Sequence, residues 1–398
     1  MQDFIKQKRA VEIKLSLVEF LKSKPLYYNE IDYTRMPRAY ASIKKFIKIP
    51  KVIHLVGTNG KGTTGRYIAN ALYSLDKKVG HYTSPHIQDF NERIWLDGKN
   101  VKDNILELAH KKLLKLLDDD FLRTLSYFEY TTFLAMIIYE NCDYVVLEAG
   151  LGGEFDATNV FAKVLSVITP IGLDHEDFLG NSIEKIALTK LKSVTSKAII
   201  ANQKYEDVQK VIDSIKDKEF VSYKKYLDAD IINMAKEIRE ENRLPLYLQD
   251  NLLVAMSVLK ELGCEIKKYM FNQPTLEGRM ELIHDNIWLD LGHNYLAAEA
   301  IKANFEAKSI NLVYNSYKDK DYLSILKILA PIIKRVEIID IDDSRIALKN
   351  DIIKAIQDNN LKYKDFTTIK KDEKYLVFGS FSVAAKFKNM MKEGDCFE

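Results

Sequence analysis

Cysteine is rare in this chain of 398 residues, which contains only Cys142, Cys264 and Cys396. The three are far apart and odd in number, so they provide neither a disulfide framework nor the spacing of metal ligands, and they fit a reducing compartment. The sequence also lacks the run of ~18 apolar residues that a membrane-spanning helix needs. Its first residues, MQDFIKQKRAVEIK, lack the apolar segment of a signal peptide. We therefore expect a cytoplasmic protein without a membrane partner.

A strong net charge of either sign is missing as well. The 59 lysine and arginine residues nearly cancel the 57 aspartate and glutamate residues, so no global field favours binding to nucleic acid or to a membrane. Apolar residues make up 47% of the chain and charged residues 29%, which is typical of a globular protein. The chain is too long for one ordinary hydrophobic core, and this favours two domains.

Glycine is scarce and unevenly placed. Of the 16 glycines, 11 lie between Gly57 and Gly180, so the backbone freedom for tight turns or close ligand approach is concentrated there. Strand-like runs alternate with helical patterns through this region. We predict strands at 51–56, 78–83, 143–150 and 164–170, and helices at about 64–76 and 128–140. Apolar strands that alternate with helices predict an α/β fold with a mostly parallel sheet covered by helices on both faces.

A second alternating set follows Arg279 and predicts a smaller α/β domain. Its segments are ELIHDNIWLDLG, a helix from about Leu296, SINLVY, a helix near Ile325, RVEIIDI and YLVFGSFSVAAKF. The boundary is expected within 271–279, where proline and glycine interrupt the pattern. This gives domains of residues 1–275 and 276–398. The stretch 204–268 is helix-rich and otherwise uninformative.

The segment IHLVGTNGKGTTGR, residues 53–66, ends an apolar strand at a glycine and continues as a helix. Between them lie Gly57, Thr58, Asn59, Gly60, Lys61, Gly62, Thr63 and Thr64. The N–H groups of such a loop can bind phosphates, with Lys61 against the outer phosphates and a threonine hydroxyl on Mg²⁺. Gly62 delays the hydroxyl by one residue relative to the usual P-loop pattern. An ordinary strand–helix turn is the alternative, but the context favours a nucleotide site, and the absence of N-K-x-D weakens a GTPase interpretation.

Polar residues follow the other predicted strands of the first domain. Ser84 and Arg93 follow the second strand, Glu148 ends the third, and His175 follows the fourth. Ligands gather at the carboxyl ends of parallel strands, and a buried carboxylate such as Glu148 would be costly without a cation. Oxygen and nitrogen ligands around Mg²⁺ and phosphate therefore explain this set best. Taken singly, each residue has a plainer explanation as a cap, a structural histidine or a surface ion pair.

Several motifs in order resemble the folylpolyglutamate synthase/dihydrofolate synthase branch of the Mur ligase superfamily. They are HLVGTNGKGTT, HYTSPHIQDFNERI, FEYTTFLA, VVLEAGLGGEFDATNV, ITPIGLDHEDFLG, QDNLLVA, EGRME, LDLGHNYLAA, KDKD and VFGS. The resemblance covers nearly the whole chain apart from the helical stretch before Gln249. It implies an ATP-dependent amide ligase with a P-loop domain and a smaller C-terminal Rossmann-like domain. The cleft between the domains would close over ATP, Mg²⁺ and small-molecule substrates, and a monomer is expected.

Matching positions imply roles for single residues. The two Mg²⁺ ions would be held by Thr63, Ser84, Glu148 and His175. Besides the loop from Gly57 to Thr64, the nucleotide would be bound by Asn251, Arg279, Asp290, His293 and Asn294. The catalytic residues would be Lys61, Glu148, His175 and Lys190.

Lys190 matches a lysine that is often carbamylated in the superfamily, although by its own pattern it looks like a lysine on a helix surface. The sequence departs from the family near this position. Thr189 replaces the usual glutamate, and Glu154 stands where arginine is usual. A third departure, DLGHNY in place of D-G-A-H-N-P, lies in the second domain. Carbamylation of Lys190 is therefore a hypothesis.

The implied reaction transfers the γ-phosphoryl group of ATP to a substrate carboxylate, and the amine of L-glutamate then attacks the acyl phosphate. The acceptor would be dihydropteroate, the terminal glutamate of a folate such as tetrahydrofolate, or both. Arg93, Phe90, Phe128 and Tyr130 are expected near the acceptor, although the aromatic residues could equally belong to the core. A Mur ligase for peptidoglycan precursors and a non-ligating P-loop ATPase stay open as alternatives.

Overall fold

The computed structural model describes residues 15–25 and 32–394. Within these residues an eight-stranded sheet occupies the first part of the chain. Its strands are β1 (Lys51–Val56), β2 (Val79–Tyr82), β3 (Ile94–Leu96), β4 (Lys99–Asn100), β5 (Tyr144–Glu148), β6 (Lys163–Ile168), β7 (Lys197–Ile200) and β8 (Glu219–Ser222). The spatial order is β4-β3-β2-β5-β1-β6-β7-β8. The six neighbouring strands β2, β5, β1, β6, β7 and β8 run parallel, whereas β3 and β4 pair antiparallel at one end of the sheet. The phosphate-loop strand β1 therefore lies between β5 and β6.

Helices cover both faces of this sheet. They are α1 (Leu17–Lys22), α2 (Arg35–Ile43), α3 (Lys61–Ser74), α4 (Asp103–Leu116), α5 (Asp119–Thr124), α6 (Tyr127–Ile138), α7 (Glu176–Leu179), α8 (Ile183–Lys192), α9 (Glu206–Ser214), α10 (Ala229–Glu241) and α11 (Leu246–Glu261). Short 3₁₀ turns span Phe90–Arg93, Ala157–Val160, Tyr223–Tyr226 and Lys268–Phe271. Separate apolar clusters form on either side of the strands, as expected for a parallel sheet that is buried on both faces.

A six-stranded sheet follows in the described part of the chain after the 3₁₀ turn Lys268–Phe271. Its strands are β9 (Glu281–His284), β10 (Ile287–Leu289), β11 (Ile310–Tyr314), β12 (Ile333–Ile338), β13 (Tyr363–Asp365) and β14 (Lys374–Phe378). They are flanked by α12 (Tyr295–Lys302), α13 (Tyr322–Leu329), α14 (Lys349–Asp358) and α15 (Phe381–Glu393). The order is β13-β12-β11-β14-β10-β9, with only β9 antiparallel to its neighbour among these strands.

The predicted fold class is confirmed: two mostly parallel sheets, each flanked by helices, follow one another along the chain. Helix α3 begins at Lys61, three residues before its predicted start, because Gly60 adopts the left-handed conformation (φ 85°) that caps it. Strands β3, β4, β7 and β8 are additional to the four strands predicted in this sheet. The boundary at 275/276 stays a prediction.

None of the helices in residues 15–25 and 32–394 is long and apolar enough to cross a bilayer.

Candidate active site

A cleft of about 1630 Å³ lies where the carboxyl ends of the central strands face the second sheet. Its floor includes the phosphate loop and the residues that follow β2, β5 and β6, and its other wall comes from the second sheet and its loops. This is the edge at which ligands bind in open α/β sheets. All of the site residues predicted from the sequence line the cleft except Thr64, Phe90 and Tyr130.

The phosphate loop is fixed against the segment after β6. The N–H group of Thr58 donates to the carbonyl of Pro170 (2.9 Å), and the Thr58 hydroxyl lies 3.1 Å from both the N–H and the carbonyl of Gly172. A Cβ atom at Gly57 would meet the Thr169 hydroxyl at 2.0 Å, so no side chain fits there. The loop therefore presents the N-terminus of α3 to the cleft in one conformation, and such a terminus favours an anion.

Two lysines converge on this loop. Lys61 Nζ donates to the carbonyl oxygen of Gly57 at 3.1 Å, and Lys190 Nζ donates to the same oxygen at 2.9 Å. Lys190 lies on α8 and is buried, not on the helix surface. Burial and the nearby charge of Lys61 lower the pKa of Lys190 to about 7. A substantial fraction of Lys190 is therefore a neutral amine near neutral pH.

Glu148 ends β5 and is buried beside the start of α3. Its carboxylate accepts the N–H of Ser84 at 3.3 Å, and Lys61 Nζ lies 3.9 Å away. Burial raises the pKa of Glu148, although Lys61 and the Ser84 hydrogen bond partly oppose the shift. The negative charge of the carboxylate is therefore only partly neutralised by protein groups.

A divalent cation fits this corner of the cleft. The hydroxyl of Thr63 is buried and has no hydrogen-bond partner, and Glu148 and Ser84 contribute further oxygen atoms to the same cleft. Hydroxyl and carboxylate oxygens are ligands that Mg²⁺ accepts, together with phosphate and water. Among residues 15–25 and 32–394, no group of three or more histidine, cysteine, aspartate or glutamate side chains could hold a metal. A cation here would therefore depend on hydroxyl and phosphate oxygens in addition to the Glu148 carboxylate.

His175 is the N-cap of the short helix α7, and its imidazole lies near the Asp174 carboxylate. Its Nε2 lies 3.9 Å from Asp174 Oδ1, and burial lowers the pKa of His175 to about 4, although Asp174 opposes the shift. The imidazole is therefore neutral near pH 7 and can act as a nitrogen ligand. Its predicted role at a second metal stays a prediction.

Asp174 links the two halves of the cleft. It accepts hydrogen bonds from Lys320 (2.7 Å) and from the Asn294 amide (3.1 Å), and His293 Nε2 lies 3.9 Å away. The side chains of Asp174 and Lys320 are only 8% and 6% exposed. Burial would raise the pKa of Asp174, but the histidines and Lys320 together hold it well below its usual range. The structure thus contains a buried ion pair between the two sheets.

The predicted nucleotide residues line the other side of the loop. Asn294 and Asn59 exchange amide hydrogen bonds of 2.8 and 3.1 Å across the cleft. Asn251 packs against Gly60, where its Oδ1 lies 2.7 Å from the position of a Cβ. Asp290 accepts the Tyr247 hydroxyl (2.8 Å); burial raises the pKa of Asp290, and the charge of Arg279 opposes the shift.

The residues expected near the acceptor divide into two groups. Arg93 donates to His86 Nδ1 at 2.7 Å in the cleft, and Phe128 lies against Gly150. Phe90 instead lines an adjacent, mostly apolar cavity of about 420 Å³. Tyr130 lies in the core, where its hydroxyl bonds to His110 at 2.8 Å, so the plainer interpretation fits it.

The structure adds Lys320, Tyr247 and Asp156 to the cleft residues. Lys320 lies in the motif KDKD, which could have identified it, while Tyr247 lies in the stretch that the sequence left uninformative. Asp156 follows the glycine-rich turn after β5, and its place in the motif VVLEAGLGGEFDATNV was the available signal. The contacts of Lys320 with Asp174 and of Tyr247 with Asp290 join residues that are distant in sequence and could not be inferred from spacing.

Comparisons with known proteins bear on this site. No protein-family model matches the chain. A dihydrofolate synthase/folylpolyglutamate synthase from Buchnera aphidicola subsp. Baizongia pistaciae is 30% identical over 407 residues, which cover 89% of this chain and 92% of the relative.

Two solved structures are also similar. The crystal structure of Helicobacter pylori folylpolyglutamate synthetase is 38% identical, has a TM-score of 0.74, and covers 95% of this chain and 98% of its own. A bifunctional folylpolyglutamate synthase/dihydrofolate synthase from Yersinia pestis, complexed with AMPPNP and a Mn ion, has the same fold. It is 21% identical with a TM-score of 0.79, and it covers 96% and 99% of the two chains. Because its relatives match over nearly their whole length, the chain belongs to the dihydrofolate synthase/folylpolyglutamate synthase family.

Proposed function

We propose that the chain is an ATP-dependent ligase that adds L-glutamate to dihydropteroate, to the glutamate tail of a folate, or to both. The observation that carries this proposal is the convergence of Lys61, Lys190 and Glu148 on a phosphate loop in a cleft between two sheets. The names of the relatives support the choice of acceptor.

The first demand of such a reaction is to bring two anions together, the γ-phosphate of ATP and the acceptor carboxylate. In this cleft Lys61 and the N-terminus of α3 supply positive charge on one side of the loop. Because Lys61 is held by the Gly57 carbonyl, its amine is oriented before the nucleotide arrives. Lys61 would stabilise charge on the transferred phosphoryl group.

A bound Mg²⁺ would supply further neutralisation of the phosphate oxygens. Thr63, Ser84 and Glu148 would hold it, and His175 would contribute at a second site. The buried, partnerless hydroxyl of Thr63 and the partly compensated Glu148 carboxylate support this assignment. The number of ions stays a prediction.

The second demand is to protect the acyl phosphate from water until the glutamate amine attacks. Contacts between the two sheets serve this purpose: the Asp174–Lys320 ion pair and the Asn59–Asn294 amide pair close one end of the cleft. Arg93 and Phe128 would orient the acceptor, Arg93 by attracting its carboxylate and Phe128 by packing on its aromatic rings. Phe90 lies in the neighbouring cavity and would act only through the segment that carries Arg93.

The experiment is a product assay with ATP, Mg²⁺ and L-glutamate, to which dihydropteroate or tetrahydrofolate is added separately. Phosphate release and mass spectrometry of the products are both recorded. We expect phosphate release only with an acceptor, and one added glutamate on dihydropteroate. Extension of tetrahydrofolate would make the protein bifunctional. ATP turnover without an amide product would contradict the ligase assignment and favour a non-ligating ATPase, whereas turnover only with peptidoglycan precursors would favour a Mur-type acceptor.

We further propose that Lys190 is carbamylated. Carbamylation requires a neutral amine, and the pKa of about 7 supplies one increasingly as the pH rises from 6 to 8. Removal of bicarbonate from the assay should therefore lower the rate, and added bicarbonate should restore it more fully at the higher pH. Lys190→Ala should lose roughly 10²-fold in kcat/KM and all dependence on bicarbonate.

The matched control is Lys192→Ala, since Lys192 is half-exposed on the same helix and its amine pairs with Glu154. This variant should keep the bicarbonate response. Wild-type activity that is indifferent to bicarbonate, together with no isotopic label on Lys190 from labelled bicarbonate, would contradict carbamylation. The monomeric state and the cytoplasmic location stay predictions from the sequence.

A further inference from the structure

A chain of short hydrogen bonds runs from the middle of the first sheet to the wall of the cleft. His54 Nε2 lies 2.7 Å from the Thr158 hydroxyl, which lies 2.5 Å from Asp156 Oδ1. Asp156 lines the cleft, whereas His54 and Thr158 are fully buried. A core residue on β1 is thereby connected through one hydroxyl to a carboxylate at the site.

His54 is an unusual residue for its position. It lies on the central strand β1 between apolar neighbours and has no exposed surface. Burial lowers its pKa to about 3, so the imidazole is neutral throughout the working range of pH. Burying a polar ring costs free energy unless it is hydrogen-bonded, and a valine or isoleucine would fill such a strand position at no such cost. Packing alone therefore does not explain His54.

The hydrogen-bond inventory fixes the direction of the chain. An ionised Asp156 only accepts, and it already receives the N–H of Leu151 on Oδ2 (2.9 Å) and the N–H of Thr158 on Oδ1 (2.9 Å). The Thr158 hydroxyl must then donate to Asp156 and accept from His54, which places the ring proton on Nε2. His54 Nδ1, which has no partner, is then a bare lone pair. The opposite direction would bury an N–H group without a partner, which is rarer and more costly.

We propose that His54 is a positioning residue that acts through Thr158 to hold the Asp156 carboxylate in one orientation toward the acceptor substrate. A simple cap of the 3₁₀ turn Ala157–Val160 would need only the Thr158 N–H bond. The second bond comes from the Thr158 hydroxyl, which His54 itself holds in place. It fixes the orientation of the carboxylate plane. Asp156 would then accept one N–H group of the acceptor on Oδ2, which receives the Leu151 N–H, whereas Oδ1 already receives two bonds from Thr158.

The position of Asp156 in the cleft indicates which substrate is affected. Its turn begins at Gly150, where the Phe128 ring lies 2.6 Å from the position of a Cβ. Phe128 belongs to the acceptor side under the proposed function, on which this inference rests. Asn251 and Asp290, on the nucleotide side, lie instead against Gly60 and Tyr247. Loss of the hydrogen bonds that join His54, Thr158 and Asp156 should therefore change the KM of the acceptor and leave the KM of ATP unchanged.

The kinetic test uses three substitutions of His54. His54→Gln can return an N–H donor near the Nε2 position, His54→Asn reaches only the Nδ1 position, and His54→Leu supplies no donor. We expect His54→Leu and His54→Asn to raise the acceptor KM about tenfold at nearly unchanged kcat and ATP KM, since the orientation of one charged acceptor is lost. His54→Gln should recover most of the acceptor affinity.

Ser166→Ala is the matched control. Ser166 is the register partner of His54 on β6, and its buried hydroxyl has no partner in the chain of bonds. It should leave all constants unchanged. If His54→Leu does not fold, Thr158→Ser, which keeps the hydroxyl, is compared with Thr158→Val, which removes it. A folded variant without the donor but with unchanged acceptor KM would overturn the proposal, as would equal behaviour of the Gln and Asn variants.

A spectroscopic test separates this inference from the proposed function. NMR of the full-length protein with isotope-labelled histidine should show His54 as a non-titrating Nε2–H tautomer, and Thr158→Val should shift its signals. An Nδ1–H tautomer would overturn the proposal even if the enzyme is an active ligase. If the wild type lacks ligase activity with both acceptors, the proposed function fails, while the tautomer still decides whether the chain of bonds runs as described.

Discussion

Glu148→Gln is expected to lower kcat/KM by roughly 10³-fold while leaving the Tm of the ligand-free protein unchanged or higher. The carboxylate is buried at the end of β5, with Lys61 Nζ at 3.9 Å and one N–H bond from Ser84. Glutamine keeps the shape and removes the charge that a cation and Lys61 need. Steady-state rates at saturating and limiting Mg²⁺, together with thermal unfolding, measure both effects.

The sign of the stability effect follows from the pKa. Burial raises the pKa of Glu148 in the folded state. The ionised carboxylate therefore lowers the free energy of unfolding at pH 7, and the protein gains stability as the pH falls through the pKa of the folded state. A neutral glutamine removes this penalty at pH 7. Activity and stability should therefore change in opposite directions, as at other sites that hold charge for function.

Glu337→Gln is the control for this substitution. Glu337 is fully buried in the second sheet and pairs with Arg335, away from the cleft. Its loss should lower Tm, because Arg335 loses a buried partner, and it should leave kcat/KM within about threefold. A Glu148→Gln enzyme that retains near wild-type kcat/KM would remove Glu148 from the metal and phosphate assignment.

Lys320→Met is expected to lower kcat/KM by roughly 10²-fold, since small misplacement of one half of an active site has effects of this size. Lys320 donates to Asp174 at 2.7 Å, and the pair joins the loop after β6 to the second sheet. Methionine fills the space and removes the charge, which leaves Asp174 with fewer partners in a buried setting. Ligase rates and thermal unfolding are the measurements.

A double-mutant cycle separates the ion pair from the single residues. Asp174→Asn with Lys320→Met should be more stable than the single Lys320 variant, because no unpaired charge stays buried. Glu299→Gln is the comparison for a surface pair that joins the same two halves of the chain. It breaks the exposed contact with Lys204 and should change the rate by less than about twofold. Equal effects of Glu299→Gln and Lys320→Met would contradict a special role for the buried pair.

The sequence predicts the parts of this molecule that depend on local pattern. Residues 51–56 form β1 as predicted, because an apolar β-branched run precedes the glycine that ends it. The glycines and the lysine that follow then indicate a phosphate loop at the carboxyl end of β1. Glu148 and His175 reach the same cleft because the carboxyl ends of parallel strands lie side by side. The order of several motifs along the chain then indicated the family, which the chemistry of single residues had left open.

Other features of the site depend on contacts between residues that are far apart in sequence, and local pattern does not reveal such contacts. Lys190 has the periodicity of a surface lysine, yet α8 packs so that its amine reaches the Gly57 carbonyl, 133 positions away. The Asp174–Lys320 pair spans 146 positions. Tyr130 and Phe128 share one helix and similar chemistry, but the helix turns one into the core and the other into the cleft. Such differences follow from tertiary packing and not from spacing.

The contacts that cross the cleft also bear on how this protein can change over evolutionary time. Asn59 and Asn294 satisfy each other, and Asp174 depends on Lys320, so each half carries groups whose partners are encoded far away in the gene. We therefore expect a recombinant that takes its second sheet from a relative to keep a closed cleft only when that sheet supplies both an amide for Asn59 and a cation for Asp174.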